Sequence, residues 1–244
     1  MSPQAKRAPP QGSSNRMLYI VLALVAVLGG GWIVYTVTTG GGGAVVAPIE
    51  LTGIDDAQSL IARAPGVTAG PAEARVQILV FSDFTCPACR GFSGLVESQI
   101  KAEYVETGKV RLVYHDFPLG GPNHEHGFIA ARAARCAGEQ NRFWEYHDLL
   151  FARQTDWAAA RGAPISLMND YADLAGLNAG QFKSCLESDR FADVVTANKV
   201  LGERLGVRAT PTVFIGSRSV ADWRDYTAVK EAIERELAAG SASS

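Results

Sequence analysis

The sequence has no excess of positive charge and no visible internal repeat. Its 23 lysines and arginines are outnumbered by 25 aspartates and glutamates, which gives a formal net charge of −2. The N-terminal tail before the first acidic residue, Glu50, carries +3, which leaves −5 for the rest of the chain. Proteins that bind nucleic acid normally present a basic face, so this distribution argues against a nucleic-acid partner.

Charged side chains are also missing from residues 17–38, a stretch of 22 residues. A helix of that length can cross the roughly 30 Å apolar core of a bilayer. Because the positive residues lie on its N-terminal side, we predict a cytoplasmic disordered tail over 1–16 and a single-pass membrane anchor over 17–39. The remainder should then be extracytoplasmic, on the periplasmic or cell-envelope side. The alternative is a cleaved signal peptide, whose apolar region is typically about 7–15 residues long.

Beyond the linker the hydrophobic pattern becomes that of an α/β domain. Residues 76–81 form a nearly continuous apolar run, typical of a central strand covered on both faces. We expect a helix over 86–105, with Leu95 among its inward residues, and a second strand over 110–114. Strand, helix and strand in this order make a βαβ unit with parallel strands.

The rest of the chain is predicted from changes in this pattern. A single helical stripe from Ile129 to Phe151 opens a helix-rich stretch, and a closing helix is expected over 226–237. We predict a linker with a short helix over 40–70, with residues 65–71 as loop. The α/β domain then has its first half over 71–121 and its second half over 206–238, with a helical insertion over 122–205 between them. A disordered tail is predicted over 239–244.

Cysteine is scarce, and its placement carries most of the chemical information. Cys86-Pro87-Ala88-Cys89 follows directly on the first predicted strand and opens the helix. Unsatisfied amide groups and the helix dipole at that position stabilise an anion, which favours the thiolate of Cys86. We expect Cys86 to face solvent as the attacking thiol and Cys89, one turn deeper, to resolve the mixed disulfide.

Two other interpretations of this pair compete with redox chemistry. A CxxC pair can be half of a zinc site, but Cys136 and Cys185 are far from it and from each other, so they do not provide the second close pair. A purely structural bridge is possible, but closing so short a loop stabilises a fold little. We therefore predict redox-active sulfur, with no cofactor and no metal.

Four segments together resemble the DsbA-like thiol–disulfide oxidoreductases of the thioredoxin superfamily. They are Phe81-Ser-Asp-Phe-Thr-Cys-Pro-Ala-Cys89, Asp116-Phe-Pro-Leu119, Ala134-Arg-Cys-Ala-Gly-Glu-Gln-Asn-Arg-Phe-Trp144 and Ala209-Thr-Pro-Thr212. The resemblance spans about residues 70–237. It implies a thioredoxin fold with an inserted α-helical domain, here preceded by one transmembrane helix, and disulfide exchange with exported polypeptides.

The resemblance gives Thr210-Pro211 a meaning that the residues alone do not. In that family a cis-proline begins a strand beside the CxxC pair, so Thr210 would contact both the substrate backbone and the active-site sulfurs. With Pro87 and Ala88, these residues would form the substrate-binding loop. Family members usually carry a buried glutamate six residues before the first cysteine, where this chain has Val80.

The remaining cysteines and the histidines are assigned structural roles. Cys136 and Cys185 lie on the apolar stripes of two predicted helices, and a facing pair in an oxidising compartment should close into a structural disulfide; two buried free thiols are the alternative. His124 and His126, near His115, suggest a metal site, but surface or capping roles are the stronger prediction. The remaining histidine, His147, is expected to be a hydrogen-bonded core residue.

The predicted function is that of a disulfide donor to cysteine-containing exported polypeptides. The resemblance implies re-oxidation by a membrane oxidase of the DsbB or vitamin-K-epoxide-reductase type. A reductase or isomerase, served by a reductant partner, is the alternative within the same chemistry. A non-catalytic redox sensor or binding module is the alternative from another class.

Overall fold

A computed structural model describes residues 44–242 of the chain. The predicted tail (1–16), the predicted membrane anchor (17–39) and the first residues of the linker lie outside this range. Residues 243 and 244 lie outside it as well. Over residues 44–242, no helix combines the length and the apolar character needed to cross a bilayer.

The elements alternate between strands and helices on both sides of a purely helical stretch. In chain order they are α1 (Ala57–Arg63), β1 (Val67–Ala69), β2 (Val76–Ser82), α2 (the continuous segments Pro87–Phe92, Ser93–Glu97, Ser98–Ile100 and Lys101–Val105), β3 (Val110–Asp116), α3 (Gly127–Gly138), α4 (Phe143–Ala152), α5 (Gln154–Trp157), α6 (Ile165–Leu174), α7 (Ala179–Leu186), α8 (Ala192–Arg204), β4 (Thr212–Ile215), β5 (Arg218–Ser219) and α9 (Tyr226–Ala242). The predicted α/β domain with helices inserted between β3 and β4 is confirmed.

The five strands form one sheet in the order β1-β3-β2-β4-β5. The central strands β2 and β3 are parallel, with Val80 opposite Tyr114 and Ser82 opposite Asp116. β1 runs antiparallel to β3, β4 antiparallel to β2, and β5 antiparallel to β4. Because side chains alternate along a strand, these four residues of β2 and β3 point to the same face of the sheet.

The two faces of the sheet are covered by different helices. On the face of Val80, side chains of α2 and α9 complete an apolar core that includes Phe92 and Ile233. On the other face α8 packs closely, since a methyl group at Gly202 would lie 2.6 Å from the Phe117 ring. Both faces are thus buried, as the apolar run of β2 indicates.

α2 differs from the prediction in its helical pitch. Two of its four segments, Ser93–Glu97 and Lys101–Val105, are π-helical. The wider turns keep residues four apart on one side, so that Val96 and Ile100 stay buried. Leu95, predicted to point inward, is instead 70% exposed, because the π turns rotate it away from the core.

The predicted stripe from Ile129 to Phe151 is two helices, α3 and α4, and not one. The chain leaves α3 after Gly138 and passes through Asn141, whose φ of 59° lies in the left-handed region that ends helices. The break lets the two apolar faces fold against each other within one large core with α6 and α7.

Two segment ends also differ from the prediction. Residues 65–71 were expected to be loop, but Val67–Ala69 form β1 and pair with β3. Residues 239–244 were expected to be a disordered tail, but α9 continues to Ala242. A three-residue strand is too short to show an alternating pattern, and alanine-rich residues at the end of α9 simply extend a helix that has begun.

Candidate active site

Cys86 is the N-cap residue of α2, at the end of the loop that connects β2 to this helix. Its backbone is extended, with φ −77° and ψ 120°, and Pro87 occupies the first helical position. A proline there costs no hydrogen bond, because the first amides of a helix have no intrahelical acceptor. The sequence pattern therefore places a sulfur at the end of the helix where the dipole is positive.

We expected Cys86 to face solvent, but this prediction is wrong. Only 7% of the surface of Cys86 is exposed. The Cys86 thiol lies 3.4 Å from the backbone oxygen of Thr210 and can donate a hydrogen bond to it. The Thr210–Pro211 peptide bond is cis, and Pro211 is buried. The structure thus brings the predicted loop residues Thr210 and Pro211 to the predicted sulfur, across 124 residues of sequence.

The two sulfurs of the pair have opposite acid–base properties. The pKa of Cys86 is lowered from 9.0 to about 5, first by a hydrogen bond from the Cys89 thiol. The Thr210 hydroxyl and the backbone amides of Cys89 and Ala88 lower it further, against the opposing effect of burial. Cys89 is fully buried, and both burial and its partner's charge raise the pKa of its thiol well above 9.0.

Gln154 is a site residue that the sequence analysis missed. Its side-chain amide donates to the backbone oxygens of Phe84 (2.7 Å) and Cys86 (2.9 Å), and it is buried. These bonds hold the loop between β2 and α2 from the side of the helical insertion. No motif marks this glutamine, because its partners are backbone atoms 70 and 68 residues away.

Asp83 shapes the same loop. Its carboxylate accepts hydrogen bonds from the Thr85 amide (2.8 Å) and the Leu119 amide (2.9 Å). Nδ1 of His124 lies 3.1 Å from it. Gly127 passes so close that a methyl group there would lie 2.6 Å from the carboxylate. Asp83 therefore ties the CxxC loop to the start of α3.

The histidines expected to lie at the surface or to cap are dispersed. His126 contacts the backbone oxygen of Ala160 through Nε2 (2.9 Å). His115 lies on the face of the sheet opposite to that of Val80. Its Nδ1 lies 2.6 Å from the side-chain oxygen of Asn198, and burial lowers the pKa of His115 to about 4. With His124 on Asp83, each of the three is engaged by a different part of the chain.

His147 is a buried core residue with a hydrogen-bond partner, as expected. Its Nδ1 lies 2.8 Å from a carboxylate oxygen of Asp148, and its Nε2 lies 3.9 Å from Glu97. Histidine, glutamate and aspartate could together hold a metal ion. However, the ammonium group of Lys101 already lies 2.8 Å from Glu97 and 3.7 Å from Asp148, so a cation belonging to the chain occupies this place.

Cys136 and Cys185 are joined by a disulfide, with 5.8 Å between their Cα atoms. The bond links α3 to α7 in the buried core of the helical insertion, with each cysteine 1% exposed. The chain therefore holds one sulfur pair that is sealed in apolar surroundings and one that lies at a helix end beside a cis-proline.

Comparisons with known proteins agree with this fold. The sequence model of a family described as Thioredoxin matches residues 63–235. The chain belongs to the thioredoxin family. Within it, the chain is a DsbA-like thiol–disulfide oxidoreductase, as the four sequence segments predict.

One relative by sequence and two solved structures illustrate the similarity. The chain is 25% identical over 169 residues to disulfide bond formation protein D of Bacillus subtilis, covering 69% of this chain and 75% of that protein. It superposes on the oxidised BdbD structure from B. subtilis with a TM-score of 0.64 and 24% identity, covering 80% of this chain and 99% of the other. It superposes on an α-DsbA1 structure from Wolbachia pipientis with a TM-score of 0.64 and 21% identity, covering 72% of this chain and 92% of the other.

Proposed function

We propose that this protein donates disulfides to exported polypeptides through Cys86 and Cys89. The observation that carries the proposal is the contrast between the two thiols: one has a pKa of about 5, and the other has a pKa well above 9.0. A thiolate that is stable at neutral pH stabilises the reduced form, and a stable reduced form makes the disulfide a strong oxidant.

The exchange would proceed in two substitutions at sulfur. A thiolate of the client attacks Sγ of Cys86, the Cys86–Cys89 bond breaks, and Cys89 leaves as a thiolate that takes up a proton. A second client thiolate then attacks the client sulfur of the mixed disulfide. The client disulfide forms, and Cys86 leaves as the stabilised thiolate, so two electrons have moved from the client to the protein.

The substrate would lie along the backbone of Thr210, next to the cis-proline. The Thr210 oxygen is 3.4 Å from the Cys86 sulfur, so an extended client chain at this edge places its own cysteine beside that atom. Because Cys86 is 7% exposed, the client must approach along one direction. Pro87 and Ala88 would border the same approach.

The proposed cellular setting is supported by the N-terminal sequence and by the relatives. The uncharged stretch within 17–39 supports a single-pass anchor with the catalytic domain on the periplasmic or cell-envelope side. The name of one relative, disulfide bond formation protein D, supports a role in forming disulfide bonds. Sustained donation needs an electron acceptor, for which we propose a membrane re-oxidase of the DsbB or vitamin-K-epoxide-reductase type.

The test is turnover together with a reduction potential. We expect the oxidised protein, re-oxidised by glutathione disulfide, to form disulfides repeatedly in a reduced, unfolded client, and its potential to lie near the roughly −120 mV of the most oxidising relatives. Cys86→Ser should abolish the reaction, whereas Cys89→Ser, once glutathione disulfide has formed a mixed disulfide at Cys86, should accumulate a mixed disulfide with a client that carries a single cysteine. A potential below about −250 mV would favour the reductase or isomerase, and a single stoichiometric reaction would favour a sensor.

A further inference from the structure

The active-site loop is in contact with a side chain from the helical insertion. We propose that Gln154 is a positioning residue, which fixes the backbone of residues 84–86 and so holds the Cys86 sulfur where the start of α2 stabilises a thiolate. This inference rests on the proposed function, because the stability of that thiolate determines how strongly the protein oxidises its clients. It gives the helical insertion a part in the chemistry of the CxxC pair.

Gln154 gives the whole donor capacity of its side chain to this loop. Its Nε2 donates to the backbone oxygen of Phe84 at 2.7 Å and to that of Cys86 at 2.9 Å. A side-chain amide has two N–H hydrogens, so each oxygen receives one of them. All three residues are buried, so water competes little with these bonds. Because the amide is neutral, it orients two carbonyl groups without placing a charge beside the sulfur.

The peptide group between Phe84 and Thr85 is held at both ends. Gln154 binds its oxygen, and its N–H donates to the Asp83 carboxylate at 2.8 Å. The next amide, that of Cys86, donates to the backbone oxygen of Asp83 at 3.0 Å. Because the oxygen and the N–H of a peptide group lie in one rigid plane, the two contacts together fix the orientation of this plane.

The Phe84 oxygen depends on Gln154 for a hydrogen bond. Within residues 44–242 no other donor reaches this oxygen. The Phe84 ring is packed in the core, with its centroid 4.9 Å from that of Phe151 and 5.5 Å from that of His147, so the residue is not free to turn towards water. A buried carbonyl without a donor is costly. Loss of the glutamine amide should therefore make the loop rearrange, and Cys86 lies two residues further along it.

The backbone conformation of Cys86 decides what its sulfur contacts. Its oxygen accepts the first hydrogen bond of α2, from the Arg90 amide at 3.1 Å, as well as the bond from Gln154. Its extended conformation leaves the sulfur 3.4 Å from the Thr210 oxygen, and backbone amides at the start of α2 lower the pKa of the thiol. Hydrogen bonds weaken steeply with distance and angle, so a rotation of this residue would weaken the stabilisation of the thiolate.

The experiment measures the pH midpoint of Cys86 alkylation in the reduced protein and the reduction potential of the Cys86–Cys89 pair. Gln154→Met keeps the length of the side chain and removes both donor hydrogens. We expect the midpoint to rise by about one pH unit, which is a tenfold loss of thiolate stabilisation. The potential should fall by about 30 mV, which corresponds to the same tenfold change in the equilibrium constant of a two-electron couple. Gln154→Asn, one carbon too short to reach both oxygens, should shift both quantities in the same direction.

The matched control is Tyr146→Phe. That side chain is also buried, and its hydroxyl donates to a backbone oxygen at 2.7 Å, but the acceptor is Met168 in the helical insertion. The control therefore loses one buried side-chain hydrogen bond to the backbone without changing a contact of the loop, and its alkylation midpoint should equal that of the wild type. The titratable groups at the loop, which are Cys89 and Asp83 with His124 beside it, are the same in every variant.

An unchanged midpoint in a Gln154 variant that urea denaturation shows to be folded would overturn this role of the glutamine and leave the proposed function intact. An equal rise of the midpoint in Tyr146→Phe would overturn it too, because any weakening of the helical insertion would then have the same effect. A wild-type midpoint near the ordinary value of 9.0 would instead overturn the proposed function, and this inference with it.

Discussion

Lowering the pH from 7 to 5 should destabilise the reduced protein selectively. The perturbed group is the Cys86 thiol, whose pKa falls from an ordinary value of 9.0 to about 5 in the folded state. A depressed folded pKa contributes stability that is complete above pH 9 and is lost as the pH falls to about 5. The oxidised protein has no thiol at this position and lacks this contribution.

The size of the effect follows from the shift. Each pKa unit corresponds to about 1.4 kcal/mol, and at pH 7 two of the four units are realised. Because Cys86 is still half ionised at pH 5, the free energy of unfolding of the reduced form, relative to the oxidised form, should fall by about 2 kcal/mol between pH 7 and pH 5. Groups such as His115, whose pKa is lowered to about 4 by burial, titrate in both forms and cancel in the difference.

The assay is urea denaturation of both redox forms at the two pH values, with disulfide exchange blocked by the absence of free thiol in the buffer. Reduced Cys86→Ser is the matched control, since it has a hydroxyl where the thiolate would be and should follow the pH dependence of the oxidised form. A change in the reduced-minus-oxidised difference of less than about 1 kcal/mol would refute the argument, because it would mean that Cys86 is protonated across this range.

Three further changes have defined outcomes. Thr210→Val removes a hydroxyl that lowers the Cys86 pKa, so the pH midpoint of thiol alkylation should rise; an unchanged midpoint would show that this hydroxyl does not stabilise the thiolate. Replacing Cys136 and Cys185 together by serine opens a loop of 49 residues and should cost about 4 kcal/mol in urea denaturation, with the Cys86 alkylation midpoint unchanged. Gly127→Ala places a methyl group 2.6 Å from the Asp83 carboxylate and should lower the free energy of unfolding by about 1–3 kcal/mol, measured by thermal unfolding. An unchanged stability would show that the loop of Asp83 moves aside without cost.

The central part of the fold is readable from the sequence because its signals are local. The apolar run of β2 and the proline after Cys86 mark a strand that ends where a helix begins. The break at Asn141 is also local, since a glycine and an asparagine close together commonly end helices. The prediction missed this break because the apolar spacing of the residues before it continues in the residues after it.

The features that sequence patterns do not show depend on distant contacts. Cys86 contacts Thr210, 124 residues away, and the loop is held by Gln154. A prediction that assumes the ordinary helical pitch also misses the π turns of α2. The cis bond before Pro211 follows from family resemblance and not from the residues, since trans is the default.

The covalent link between α3 and α7 has a consequence for how each copy of the protein is made. Closing it removes two electrons from the newly made chain, so maturation requires an oxidant before the helical insertion reaches its final form. Under the proposed function, a finished copy with oxidised Cys86 and Cys89 would supply this oxidation. Production of the protein would then be self-reinforcing, with earlier molecules completing later ones.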